Sequence, residues 1–205
     1  TLASQSDWRL PTIAELGALP DRTRAYHATD GSPLSVDPEA FPDFLPQGHW
    51  SSTPFLPIPG SNWGVEFPYG QVQSTWASPP PDVRVARCVR GAATVTTPLD
   101  WDFQPALASP PLALRMTQAQ AVNYCSSMGA RLPTVDELLS IVDVAYSNPA
   151  FTPGRFASLV EANCIYFWSS TPFAFDSNYY WKVEYSQGTA GRALASQYDC
   201  VRCVR

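Results

Sequence analysis

Three motifs occur twice in this chain, in the same order. Arg9-Leu-Pro-Thr12, Trp50-Ser-Ser-Thr-Pro-Phe55 and Arg87-Cys-Val-Arg90 return as Arg131-Leu-Pro-Thr134, Trp168-Ser-Ser-Thr-Pro-Phe173 and Arg202-Cys-Val-Arg205. Starts at 9, 50 and 87 against 131, 168 and 202 give intervals of 41 and 37 residues in one copy and 37 and 34 in the other. Such close spacing means that a whole folding unit was duplicated, and two copies of this length mean two domains rather than a solenoid. The expected division is 1–91 and 92–205.

Composition supports two real cores and narrows the partners. In 205 residues, 45% hydrophobic and 13% aromatic content is enough apolar material for two domains of roughly 100 residues. Charged residues make up 15%, the net charge is −5 and Lys182 is the sole lysine, so the basic stripe that a phosphate backbone requires is missing and nucleic acid is excluded as a partner. No run approaches the ~18 apolar residues that span a bilayer, and no charged-then-apolar leader is present. The expectation is a soluble chain with no membrane insertion. Because it starts with Thr1 rather than Met, upstream residues are expected to have been removed or to lie outside the sequence.

The five cysteines are Cys88, Cys125, Cys164, Cys200 and Cys203. A structural zinc site at Cys200-x-x-Cys203 would need a second pair, and His27 and His49 lie in the other copy. A thioredoxin-like pair would open a helix, whereas this one sits in a Val/Arg segment at the chain end. On a strand, residues three apart point to opposite faces and so reach different partners. Cys125 and Cys164 are those available in the same copy. The expected disulfides are Cys125–Cys203 and Cys164–Cys200, with Cys88 unpaired or paired outside this segment, and an oxidising compartment follows. No metal or cofactor is expected.

Each Arg-Leu-Pro-Thr opens a helix. Thr12 with Glu15 and Thr134 with Glu137 form capping boxes, with Pro11/Leu16 and Pro133/Leu138 at the staple positions. The first helix is cut short near Pro20, and the second continues through Val142. Another helix, from Thr117 to Met128, precedes the second Arg-Leu-Pro-Thr, with Gly129 past its end. Its Ala121, Tyr124, Cys125 and Met128 follow the i, i+3, i+4, i+7 pattern, so Cys125 faces the core. In the first copy Ala3 falls opposite Cys125, so that domain is expected to be incomplete at its N-terminus.

Downstream both copies read as strands. Trp63, Val65 and Phe67, and Trp181, Val183 and Tyr185, alternate with more polar residues at a period of two. Gly70 and Gly188 supply turns, and final strands are expected over Val83–Arg90 and Cys200–Arg205. Pro54 to Pro59 and Pro79 to Pro81 must lie in surface loops. Residues 91–111 read as a connector that also holds the second domain's opening strand, near Thr94–Thr97. Helices followed by a run of strands give an α+β fold with a mostly antiparallel sheet.

These motifs resemble the C-terminal domain family of the bacterial collagen-like adhesin Lcl. The shared marks stand at Trp8–Leu16, His49–Thr53, Trp63–Gly70 and Arg87–Arg90, then at Ala130–Leu138, Phe167–Thr171, Trp181–Gly188 and Arg202–Arg205. The resemblance implies two C-type-lectin-like domains, ligand sites in long loops, and a secreted or cell-surface protein. Two departures stand out: the first copy lacks the opening strand and the cysteine-bearing helix, and Ala130 replaces the usual Trp.

Most of the repeated residues have a packing explanation. Trp50, Trp168, Trp63 and Trp181 are expected in the core rather than stacked on sugar. Glu15 and Glu137 are caps. Glu66 and Glu184 sit on a polar strand face in separate domains, and Ser51, Ser52, Ser169 and Ser170 lack a nucleophile elbow, so no enzyme is expected. Arg87, Arg90, Arg202 and Arg205 are expected to make ion pairs at a sheet edge rather than bind anionic polysaccharide.

The binding candidates are residues in the loops where the copies differ: Ser61 and Asn62 in the first, and Asp176, Ser177, Asn178, Tyr179 and Tyr180 in the second. A carboxylate, an amide and two phenols suit a polar, ring-shaped ligand. The Glu-Pro-Asn or Gln-Pro-Asp and Trp-Asn-Asp motifs of calcium-dependent lectins are missing, which speaks against calcium-mediated sugar binding. The expected function is a secreted or surface binding and adhesion module for glycan or protein. The alternative is a structural subunit of a filament or surface layer that self-associates by strand or helix complementation. An enzyme on the related formylglycine-generating fold ranks below both.

Overall fold

The computed structural model describes residues 7–75, 84–91, 115–144 and 164–205. The chain divides into two compact units, Thr1–Thr96 and Thr97–Arg205. Each combines short helices with mostly antiparallel sheets, an α+β architecture.

The first unit contains β1 (Trp8–Arg9), α1 (Ile13–Gly17), the hairpin β2 (Tyr26–His27) and β3 (Pro33–Leu34), β4 (Gly48–Pro54), β5 (Asn62–Glu66), β6 (Gln71–Thr75) and β7 (Val89–Arg90). Strands β4, β5 and β6 form an antiparallel meander, and β1 pairs with β7 so that Arg9 faces Val89. Val85 joins β4 through one parallel bridge to His49. Among the described residues, no helix precedes α1.

The second unit contains β8 (Arg115–Met116), α2 (Gln118–Ser127), α3 (Val135–Ser140), β9 (Tyr166–Pro172), β10 (Tyr179–Glu184), β11 (Thr189–Leu194) and β12 (Asp199–Cys200). They form a sheet in the order β11-β10-β9-β12-β8. Strand β12 is parallel to β9, with Cys200 opposite Phe167, and antiparallel to β8. Arg131 bridges Val204, just as Arg9 faces Val89.

The final segments are not the continuous strands that alternation predicted. Each makes two separate pairings, at Val85 and then Val89, or at Cys200 and then Val204, because its two ends serve different neighbours. Thr94–Thr97 lie outside the described residues, and the strand that pairs with β12 is β8. Helix α3 ends at Ser140 rather than Val142. All three described helices start at a Thr whose hydroxyl accepts from the N3 amide while the N3 side chain returns to the Thr N–H. Gly129, at φ 67°, turns the chain out of α2 in the left-handed region that glycine tolerates.

The sheet of the second unit carries a buried cluster on each face. On one lie Val135 and Leu138 of α3 with Phe167, Trp181, Val183 and Tyr185, whose hydroxyl donates to Leu138 O at 2.9 Å. On the other, Ala121 and Cys125 of α2 pack with Leu132, Trp168, Ala193, Val201 and Cys203. Disulfides Cys125–Cys203 and Cys164–Cys200 tie α2 and the approach to β9 to the final segment. In the first unit Ile13 and Leu16 of α1 pack over Trp63, Val65 and Phe67, in a core completed by Leu34, Val36, Phe44 and His49. No described helix is long and apolar enough to cross a membrane.

Candidate functional site

The Ser-Ser-Thr that follows each leading Trp is consumed by the framework. Ser51 Oγ donates to Trp63 O at 2.8 Å and Ser169 Oγ to Trp181 O at 2.7 Å, fixing the neighbouring strand. Ser52 and Ser170 each donate from N and Oγ to Pro11 O or Pro133 O. Thr53 Oγ1 accepts from Ile13 N at 3.0 Å, and Thr171 Oγ1 from Val135 N at 3.1 Å, satisfying helix amides that have no intrahelical partner. Four of these six hydroxyl contacts join residues 36 to 41 positions apart, so the two repeated motifs are the two halves of one joint.

Beyond the joint, each unit makes the same hairpin turn. In the first, Phe55 N donates to Ser61 O (2.8 Å), Ile58 N to Phe55 O (3.2 Å) and Ser61 N to Ile58 O (3.1 Å). In the second, Phe173 N donates to Tyr179 O (2.8 Å), Asp176 N to Phe173 O (3.2 Å) and Tyr179 N to Asp176 O (3.0 Å). The main chain matches position for position while the side chains change wholesale. Leu56, Pro57, Ile58, Pro59 and Gly60 stand where the other copy has Ala174, Phe175, Asp176, Ser177 and Asn178. Gly60 has φ 82°, and its counterpart is Asn178.

The second turn presents a polar tip. Asp176 Oδ1 accepts from Asn178 N at 2.9 Å and from Asn178 Nδ2 at 3.0 Å, an Asx turn that holds the tip in place. Ser177 and Asn178 are exposed, and Asp176 and Tyr179 half-buried. Tyr179 pairs with Leu194, which is 40% exposed. Asn178 O accepts from Ala195 N at 2.8 Å. Leu194 and Ala195 therefore belong beside this turn, and only the strand register, which the sequence does not print, places them there.

The other candidates fall elsewhere. Tyr180, one residue on, packs against the cluster under α2. Ser61 is buried at 2% exposure, and its hydroxyl has no hydrogen-bond partner among the described residues. Asn62 Nδ2 donates to Ser51 O at 3.1 Å. The structure thus gathers Asp176, Ser177, Asn178 and Tyr179 at one tip and turns Ser61 inward at the equivalent tip. Among the described residues, no three His, Cys, Asp or Glu side chains come together to hold a metal.

The repeated carboxylates are engaged. Glu15 accepts from Arg9 at 2.6 and 2.7 Å and from Thr12 N at 2.9 Å, and these bonds, Arg9's first, pull its carboxyl down to about 2. Arg131 does the same for Glu137, again at 2.6 and 2.7 Å, and holds it below the usual carboxylate range. Glu66 pairs with Arg84, and Glu184 accepts from Ser186. The leading tryptophans differ: Trp168 is fully buried and donates from Nε1 to Met116 O at 2.8 Å, but Trp50 is half-buried. Among the terminal arginines, Arg90 meets Asp7 at 3.1 Å and Arg87 lies 4.7 Å from the Phe44 ring centroid. Arg202 departs from the sheet-edge expectation, being buried at 6% exposure.

Two copies of one joint, each closing a small α+β unit, define a tandem-repeat protein whose variable parts are its hairpin tips. The Lcl C-terminal domain family matches residues 1–90 and again 93–205. The chain belongs to that family, with two domains in tandem. No curated protein and no solved structure matches it. The family and the two disulfides fit a surface or extracellular domain.

Proposed function

We propose that this is a non-enzymatic binding and adhesion module, secreted or displayed at a cell surface, that recognises glycan through the hairpin tip at Asp176–Tyr179 on a C-type-lectin-like framework. The observation that carries the reading is the pair of turns with matching main-chain hydrogen bonds and unrelated side chains. A framework held constant while its tip is rewritten is the arrangement in which function sits on loops and stability on the scaffold. At the tip, Ser177 and Asn178 supply exposed donors and acceptors, and Tyr179 beside Leu194 supplies a ring face for a sugar. The commitment of the serine hydroxyls to backbone carbonyls and of Glu15 and Glu137 to arginines supports binding over catalysis.

A glycan array is the direct test. Binding by the parent that falls at least about tenfold in Tyr179→Ala and in Asn178→Ala supports the reading. Tyr180→Phe serves as control, because Tyr180→Ala would disturb the core it packs against. An array with no hits, or variants that bind like the parent, sinks glycan recognition at this tip.

A further inference from the structure

Helix α2 reaches the hairpin tip of the second unit through a single residue. Its first amide, Gln118 N, donates to Ala195 O at 3.0 Å, and Ala195 N donates in turn to Asn178 O at 2.8 Å. Gln118 N is one of the first-turn amides that have no intrahelical partner, so Ala195 O satisfies it. Ala195 itself follows β11 and opens a turn closed by Gln197 N on Leu194 O at 2.9 Å. Helix, turn and tip are thus joined by main-chain bonds.

Side chains add two more ties. Gln118 is buried at 5% exposure although Ala119 and Gln120 beside it are exposed, and its Nε2 donates to Ser169 O at 3.3 Å on β9, the strand that leads into the tip. Tyr180 packs against the cluster under α2, while Tyr179 points to the opposite face by the pleat. Both neighbours of Tyr179, the Asn178 carbonyl and the Tyr180 ring, are therefore held by contacts that lead to α2. The helix is fixed in turn to the final segment by Cys125–Cys203, buried at 0% and 1% exposure. The Asx turn at Asp176 shapes the tip from within; α2 holds it against the sheet from outside.

Taking Asp176–Tyr179 as the binding tip proposed above, we infer that Gln118 and Ala195 are positioning residues: α2 sets where the tip stands, and the affinity of the tip depends on that helix as well as on its own side chains. A ligand that meets Ser177, Asn178 and Tyr179 together binds more tightly when these groups are already held in place, because ordering them on binding costs affinity.

Ala195→Pro breaks the link at one atom. Proline suits the second position of a turn, and Leu194 before it is already in a strand, so the variant keeps the turn and removes the N–H bonded to Asn178 O. Ala195→Gly keeps that N–H and is the control. Gln118→Met removes the bond to Ser169 O. In the whole chain without ligand, hydrogen exchange at the Asn178 and Tyr179 amides should rise about five- to tenfold in Ala195→Pro, as loss of one hydrogen bond implies, and by a smaller factor in Gln118→Met. Val183, buried within β10, should keep its parental rate. Unchanged exchange at the tip in Ala195→Pro, or an equal rise at Val183, which would mark a general loss of stability, overturns the proposal. On the glycan array both variants should bind more weakly by a similar factor, and Ala195→Gly like the parent. A loosened tip with undiminished binding would overturn positioning and leave glycan recognition standing. If the parent binds no glycan, the tip reading fails, and exchange at Asn178 and Tyr179 still decides whether α2 positions that turn.

Discussion

Trp50 and Trp168 lead the same hexapeptide and flank the same joint, yet they end in different surroundings. Trp168 is fully enclosed, with its indole N–H bound to Met116 O, whereas Trp50 keeps part of its ring in solvent with the Arg84 guanidinium 5.9 Å from the ring centroid. Nothing within the hexapeptide distinguishes them. The difference comes from α2, about fifty residues before Trp168 in the chain, which has no equivalent among the described residues of the first unit. Identical local sequence therefore sets identical hydrogen bonds, and burial is decided by whatever element is laid on top.

The sharpest way to break that comparison is to truncate both rings. Trp168→Ala should cost the second unit about 3–5 kcal/mol, as for other buried aromatics. Trp50→Ala should cost the first unit about 1–2 kcal/mol, since less area returns to water. Hydrogen exchange followed separately over each unit reads both values, and equal losses would abolish the distinction.

A comparable effect is expected from the sulfur atoms. Replacing Cys125 and Cys203 together by Ser should destabilise the second unit by about 2–5 kcal/mol and leave the first unchanged. Cys88→Ser should leave both unchanged, because that thiol is exposed and unbonded. A loss in the first unit from Cys88→Ser would mean that Cys88 is part of its packing after all.

The smallest difference concerns acid. His49 is buried between Phe44 and Phe67, at centroid distances of 4.6 and 4.7 Å, where the second unit has Phe167. Burial holds its pKa below the ordinary 6.5; the Gln47 carbonyl opposes the shift, and the Arg87 charge adds to it. The folded state then binds fewer protons than the unfolded one, so this contribution is intact above 6.5 and is lost as pH falls through 6.5 toward the depressed value. Between about pH 7 and 5 the first unit should weaken relative to the second, and His49→Phe should flatten the profile. Parallel profiles for parent and variant would remove His49 as the cause.

Legibility followed the range of the interaction. The capping boxes at Thr12, Thr117 and Thr134 close within three residues, so the sequence announces them. Period-two alternation likewise marked β5 and β10. Beyond that range the reading thinned. That Ser52 and Ser170 reach back to Pro11 and Pro133 could not be read from motifs about 40 residues apart, nor could the break in each final segment.

At the hairpin tip, divergence between the copies marked out the stretch of chain, but not which side chains look outward. Tyr179 and Tyr180 point to opposite faces by the pleat, and Ser61 turns inward. Both outcomes depend on strand register and neighbouring rings, such as Phe55 against Trp63 at 5.0 Å.

The matched turns have an engineering consequence. Residues 56–60 and 174–178 are cartridges of equal length, each held by the same three main-chain bonds. Exchanging residues 56–61 for 174–179 should give a chain with two like tips, and foreign segments of the same length can be displayed at the same positions.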